Sequence, residues 1–398
     1  MQKTISGNAK IVRDINRAMI LNIIRKNQPI SRSTIARMTG LNKSTVSSIV
    51  TDLLQEELVY EQVKEDRNVG RNPIDLSLKL GRSFIGAINI DSAFTYIGVV
   101  DIDGSILAES KFDTRPANPA SFISLCVKKL NSLCSKANIK KLEGLGISVA
   151  GIVDSIDLVV DFAPNLGWED LNIGKEFLKH LPELKIIAVG NDAKSSALAE
   201  LWFGEQGVDL SNFVFLSIGD GIGAGIVVEG KLLQGEFQAA GEVGHMILIE
   251  GGDKCVCGNY GCWERYGSDI ATVKRYLKEK KRDNRIPDDF SIDEILKLSN
   301  NGDEIAKKVL TETGEFLGLG IATIVKAFDP HAIIIGGRIT QAWNIIYPQI
   351  LKEVEKRAFY SRNKNIIIIP TSLRVSPRLL GAATLAIKEI FDDYKITI

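Results

Sequence analysis

The chain has 398 residues, of which 45% are apolar and 25% charged, and a formal net charge of zero. That length suits two or three folding units rather than one small core, and the composition is that of a globular protein. No apolar run is long enough to span a bilayer and Met1–Lys10 lacks the apolar stretch of a secretion signal. A cytoplasmic protein is therefore the expectation.

The first predicted element is a helix over Val12–Asn27, with Ile15, Ala18, Met19 and Ile23 on one face, ended by Gln28-Pro29. Ser31 can cap a second helix, Arg32–Met38, which Gly40 breaks. Asn42 can cap a third, Lys43–Glu56, whose Val46 and Ile49 point back into a small core. Two helices joined by a short glycine turn, with small Ala36 where they approach, read as a helix-turn-helix. Lys43, Ser44, Thr45 and Ser48 then fall at the start and outer face of the third helix, where they can meet bases or phosphates in a major groove. The competing reading is a plain three-helix bundle with solvated serines. Spacing, turn and charge together favour DNA binding: residues 1–50 carry nine basic side chains, Arg32 among them, against the single acid Asp14, while the rest of the chain is acidic. A basic head on an acidic body fits a polyanionic partner, so operator DNA is the expected one.

Leu58–Val63 and Ile74–Leu80 read as two strands of a β-hairpin wing with polar Lys64–Asn72 between them. Arg71 or Arg67 near its tip either enters a minor groove or is solvated. From about Ser83 strands and helices alternate: Phe84–Ile90, Tyr96–Val100, Ser121–Ala137, Gly144–Val149, Ile173–His180, Ile186–Val189, Ala193–Phe203 and Phe213–Ile218. The fold class expected is therefore α/β with mixed sheets. Cys126 and Cys134 lie in an apolar helical pattern and read as buried thiols.

His245, Cys255, Cys257 and Cys262 make the densest chemical signal in the chain. One imidazole and three thiolates complete a tetrahedral set for Zn²⁺, with Gly258 and Gly261 allowing tight turns around it. No coordination position is left for water, so such a zinc is structural rather than catalytic.

The helix-turn-helix, Asn191-Asp192-Ala193, Gly241–His245 and Cys255–Glu264 together resemble the ROK family of repressors, open reading frames and sugar kinases, over nearly the whole chain. The N-terminal module is similar to its repressor branch, which includes the xylose and N-acetylglucosamine repressors. The resemblance implies a winged helix-turn-helix over residues 1–80 and an actin-like (ribonuclease H-like) domain of two lobes. Lobe I is expected over 81–200 plus a returning helix in 380–398, and lobe II, with the zinc site, over 201–379. It also implies a free monosaccharide in the cleft and a homodimer or homotetramer; a dimer would call for a roughly palindromic operator.

Carried over residue by residue, the resemblance gives Asn191 and Asp192 to the sugar hydroxyls, Asp192 standing where the kinases keep their general base. Glu242 and His245 match the groups at the other edge of the ring, with one His245 nitrogen for the sugar and one for zinc. Glu264 matches the acid after the last cysteine, and Asn165, in Pro164–Trp168, matches the loop over the sugar. Carboxylates and an amide suit hydroxyls that both donate and accept.

The phosphate loops depart from the family. The first reads Asp91-Ser92-Ala93-Phe94-Thr95, without its two glycines and with bulky Phe94. The second reads Gly219-Asp220-Gly221, with a carboxylate where an anion would sit. The expectation is a sugar-responsive repressor of carbohydrate-utilisation genes that is not an enzyme, with Asp192 kept as a sugar ligand only. The alternative, an ATP-dependent sugar kinase with an accessory DNA-binding domain, requires intact phosphate loops. Between effectors, the Asn191-Asp192 pair favours a hexose or hexosamine over xylose.

Overall fold

The computed structural model describes residues 9–63, 74–114, 118–206, 211–280, 290–359, 366–373 and 376–392. Helix α1 (Ala9–Asn27) opens the chain. Its buried side is Ala18, Ile20, Leu21 and Ile24, whereas Ile15 is 43% exposed and Met19 and Ile23 are half-buried. The apolar residues of α1 occupy more than one stripe, and the neighbours that cover the helix select which stripe is buried.

Strand β1 (Ile30–Ser31) leads into α2 (Arg32–Thr39), whose first turn is held by the Ser31 hydroxyl accepting from the Thr34 N–H at 3.2 Å. Gly40 takes the left-handed conformation at φ 72° and donates its N–H to the Ala36 carbonyl, as a helix stop requires. Helix α3 (Lys43–Gln55) buries Val46, Ile49, Val50 and Leu53. Asn42 stands at its N-cap but, contrary to expectation, its side chain makes no capping bond; the amide stays exposed beside Lys43 and Ser44. Strands β2 (Val59–Val63) and β3 (Ile74–Leu78) pair antiparallel, and β1 adds to the free side of β3. The tip of this hairpin, with Arg67 and Arg71, lies outside the described residues.

The remainder builds two five-stranded sheets with one topology. In the first, β4 (Phe84–Ile90), β5 (Phe94–Asp101) and β6 (Ile106–Asp113) form an antiparallel meander. After helix α4 (Pro119–Lys136), β7 (Gly144–Val149) pairs parallel to β4. A small three-stranded flap follows, β8 (Ile152–Asp154), β9 (Val159–Ala163) and β10 (Trp168–Leu171). Helix α5 (Ile173–His180) then leads to β11 (Ile186–Asn191), parallel to β7.

Helix α6 (Asp192–Phe203) passes to the second sheet. There β12 (Phe213–Ile218), β13 (Ile222–Val228) and β14 (Lys231–Leu232) repeat the meander. Four helices come next: α7 (Glu264–Gly267), α8 (Asp269–Glu279), α9 (Ile292–Asn300) and α10 (Glu304–Phe328). Strand β15 (Ala332–Gly336) pairs parallel to β12, and after α11 (Trp343–Arg357), β16 (Ile367–Pro370) pairs parallel to β15. Helix α12 (Pro377–Phe391) ends the described chain. It starts three residues before the expected Leu380, and residues 393–398 lie outside the described set.

The alternation of side chains along each strand assigns the faces. In the first sheet Ile88 and Ile90 point to α4 and α5, with Cys126 and Cys134 buried there, while Ile85 and Ala87 point to α12. In the second, Leu216 and Ile335 face α8–α11, and Phe215 and Ile334 face α6. So α6 leaves the first sheet to cover the second, and α12 leaves the second to cover the first. The crossing pair packs at backbone distance: a Cβ on Gly381 of α12 would lie 2.6 Å from the Ser195 carbonyl carbon of α6. The core of the N-terminal module is continuous with this interior, one apolar cluster running from Ile20, Leu21 and Ile24 to Leu379, Ile387 and Phe391.

Candidate functional site

The two meander turns, Asp91–Ala93 after β4 and Gly219–Gly221 after β12, face each other across the gap between the sheets. The Ser92 hydroxyl donates to Asp220 Oδ2 at 2.7 Å. The N-termini of α6 and α12 open into the same gap, which brings Asp192 and Arg378 together, Nε to Oδ2 3.8 Å. Arg378 also pairs with Asp91, and its Nε lies 3.3 Å from the Ser217 hydroxyl. Its guanidinium lies against Gly219, where any Cβ would strike Nη2.

Burial works against a charge at Arg378, but Asp91, Asp192, Asp220 and Asp269 outweigh it and raise its pKa further. Burial pushes the Asp192 carboxyl up to about 6 and Asp269 up to about 7, in both cases against the pull of Arg378. Asp269 Oδ1 is buried without a hydrogen-bond partner among the described residues. Arg378 thus sits amid four carboxylates between the two meander turns. The sequence reading found Asp220 but missed Arg378, which lies outside both loops. The Phe94 ring, at the start of β5, is 37% exposed, with Lys111 Nζ 3.4 Å from its centroid.

On the other side of the gap, Asn191 caps α6. Its Oδ1 accepts from the Lys194 N–H at 3.0 Å and its Nδ2 donates to the Gly151 carbonyl at 3.0 Å. The amide therefore holds the backbone and keeps only part of its capacity for a ligand. Buried Lys194 donates to the carbonyls of Gln234 and Gln238, and burial lowers its pKa despite Glu242 nearby. Gln238 bridges the sheets: its Oε1 accepts from the Ser155 hydroxyl at 2.7 Å and its Nε2 donates to Asp154 Oδ1 at 3.1 Å. Neither Lys194 nor Gln238 carried a signal in the sequence beyond its nearness to Asn191 or Glu242. Asn165 sits exposed in a turn closed by the Leu166 N–H and the Ala163 carbonyl, and makes no hydrogen bond among the described residues.

His245 joins this gap to the cysteine cluster. Its Nε2 lies 3.9 Å from Glu242 Oε2, and its Nδ1 lies 3.6 Å from Cys255 Sγ. Partial burial raises the Glu242 pKa, opposed by His245 and Lys194. Glu264 Oε1 is 3.1 Å from Cys255 Sγ, and its Oε2 lies 2.6 Å from where a Gly221 Cβ would be, so Glu264 spans the cluster and the second turn. The ligand atoms of His245, Cys255, Cys257 and Cys262 all lie within 4.8 Å of one another. Cys257 and Cys262 sulfurs are 3.7 Å apart. Bonds of about 2.3 Å from a tetrahedral Zn²⁺ give S···S edges of about 3.8 Å, so the four residues can hold a metal with little rearrangement. Gly258 at φ 95° and Gly261 at φ 79° supply the turns around it.

On the N-terminal module Lys43, Ser44 and Ser48 are exposed and Thr45 is half-buried, so they share the outer face of α3. Arg13 of α1 reaches the same face, donating to the Ser48 hydroxyl at 3.3 Å and pairing with Asp52. Arg32 is tied to Glu61 of β2 at 2.9 Å, which orients it beside the hairpin. No helix among the described residues is long and apolar enough to cross a membrane.

Fold and site define a class: a winged helix on a two-lobed, actin-like domain of the sugar-kinase type. Residues 85–389 match the ROK family and residues 14–71 the MarR family. The chain belongs to the ROK family. It is 30% identical over 389 residues to the xylose repressor of Bacillus spizizenii, covering 97% of this chain and 98% of that protein. Among solved structures it is similar to a ROK family transcriptional regulator, a homologue of the Escherichia coli MLC protein. That likeness has a TM-score of 0.82 and 27% identity, and covers 96% of this chain and 97% of the other. A ROK family glucokinase from Streptomyces griseus, solved with glucose and AMPPNP, gives a TM-score of 0.65 and 26% identity, covering 76% of this chain and 99% of that one. The portion this kinase leaves uncovered is about the size of the winged helix.

Proposed function

We propose that this protein is a sugar-responsive transcriptional repressor of carbohydrate-utilisation genes and performs no phosphoryl transfer. One observation carries the reading: a helix-turn-helix with an exposed basic and polar recognition face is fused to a sugar-kinase fold whose two meander turns enclose Arg378 and its carboxylates. Nucleotide phosphates at the second turn would have to sit against the Asp220 carboxylate, which Coulomb repulsion opposes. The similarity to a xylose repressor along both whole chains supports the same reading.

In it, Lys43, Ser44, Thr45, Ser48, Arg32 and Arg71 contact operator DNA. A free monosaccharide, either a hexose or hexosamine or xylose, is gripped by Asn165, Asn191, Asp192, Glu242, His245 and Glu264. His245, Cys255, Cys257 and Cys262 bind a structural Zn²⁺ that fixes the His245 ring for the sugar. The modules divide at residues 80 and 200, with 380–398 returning to the first lobe. The working form is a cytoplasmic homodimer or homotetramer that presents two winged helices to a palindromic operator. The sugar acts by binding one lobe arrangement better than another, and so weakens DNA binding.

The test is a gel-shift assay on the region upstream of the protein's own gene, with xylose, glucose and N-acetylglucosamine added in turn. Release of the duplex by one free sugar supports the reading. ATP consumption with a sugar and no DNA binding would overturn it in favour of a kinase.

A further inference from the structure

Helices α6 and α12 run from the sugar side of the molecule to the DNA-binding module. At their N-termini stand Asp192 and Arg378, facing each other at 3.8 Å. At their C-termini stand Trp202 and Phe391, in edge contact with ring centroids 5.3 Å apart at 89°. Twelve residues make α6 about 18 Å long. Between the two ends there is no slack: Gly381 meets the Ser195 backbone, and the Ala193 Cβ would lie 2.7 Å from a Cβ on Gly223 in the second sheet. Close-packed helices with backbone contact transmit displacement as rigid bodies.

The DNA-binding module meets this pair through the apolar cluster of Ile20, Leu21 and Ile24 and through one polar side chain that reaches the helix ends. Arg25, in the last turn of α1, donates to the Trp202 carbonyl at 2.8 Å. That carbonyl belongs to the final turn of α6, where no helical N–H remains to pair with it and the helix dipole is negative. The Arg25 guanidinium also lies 4.0 Å from the centroid of the Trp202 ring and 5.9 Å from that of Phe391. A planar, delocalised cation donates to the helix end and stacks face to face on the aromatic ring, whereas an ammonium cannot stack face to face.

We propose that Arg25 is the positioning residue through which the sugar cleft controls the winged helix: it seats α1 on the ends of α6 and α12, and so passes their displacement to α3. The inference rests on the sugar-responsive reading above. A ligand on Asp192 or a shift of the second sheet moves the near end of α6, and the Arg25 joint carries the far end into the DNA-binding module. Arg25 contacts neither the sugar nor the outer face of α3.

The experiment measures, for full-length protein, affinity for the upstream duplex with and without saturating xylose, glucose or N-acetylglucosamine, and sugar affinity by calorimetry. Arg25→Gln, Arg25→Lys and Trp202→Phe are compared with wild type. In Arg25→Gln, duplex and sugar affinities taken singly should stay within about threefold of wild type, while the factor by which sugar weakens DNA binding falls toward one. Arg25→Lys and Trp202→Phe should lose part of that factor, and they carry the test if Arg25→Gln does not fold. A wild-type protein indifferent to every sugar would sink the repressor reading itself. A responsive wild type with an unchanged factor in the folded variants would overturn the Arg25 assignment alone.

Discussion

Replacing Arg378 by methionine removes the buried cation that faces Asp91, Asp192, Asp220 and Asp269. Methionine keeps most of the apolar stem, so the loss is mainly electrostatic. Breaking a buried ion pair from one side costs about 3–5 kcal/mol, because the partner charge is left uncompensated. Here the cost should depend on pH. Asp192 and Asp269 already titrate near 6 and 7, above the ordinary 3.8, and losing Arg378 moves both higher still. A carboxyl with a raised folded-state pKa stabilises the fold as its proton binds, so the penalty is greatest near pH 8 and shrinks toward about pH 5.5. Denaturant midpoints of wild type and Arg378→Met at those two pH values measure it. Adding Asp220→Asn to Arg378→Met should recover part of the loss by removing one uncompensated charge. Equal midpoints near pH 8, or a deficit that does not change with pH, would refute the idea that Arg378 neutralises this cluster.

Other expectations follow from the same geometry. An ionised Asp192 accepts from a sugar hydroxyl more strongly than its protonated form does, and its pKa of about 6 means that it protonates as pH falls through that value. Sugar affinity should therefore be steady above neutrality and fall below about pH 6, and calorimetry across pH reads this directly. Lys43→Ala should weaken binding to all duplexes alike and lower the slope of log affinity against log salt by about one, as for one lost phosphate contact. Cys257→Ser should abolish stoichiometric zinc, measured by atomic absorption, and weaken sugar binding through a loosened His245. DNA binding by the outer face of α3, which carries none of the metal ligands, should survive that change.

The sequence alone determined what depends on short-range pattern. Ser31 and Gly40 bound α2 through local capping chemistry, and the fourfold set around His245 is legible because a metal needs its ligands close together along tight turns. Strands such as Phe84–Ile90, Gly144–Val149 and Phe213–Ile218 follow from their apolar runs. The tertiary structure decided what depends on residues far apart. Ile15 is exposed and Leu21 buried because packing against α3 and α12 sets the rotation of α1, and its own apolar residues allow more than one choice. Arg378 joins Asp91 across 287 positions, and Arg25 joins Trp202 across 177. No local propensity encodes such contacts. They arise because α6 and α12 exchange sheets and bring their ends to one cleft and one DNA-binding module.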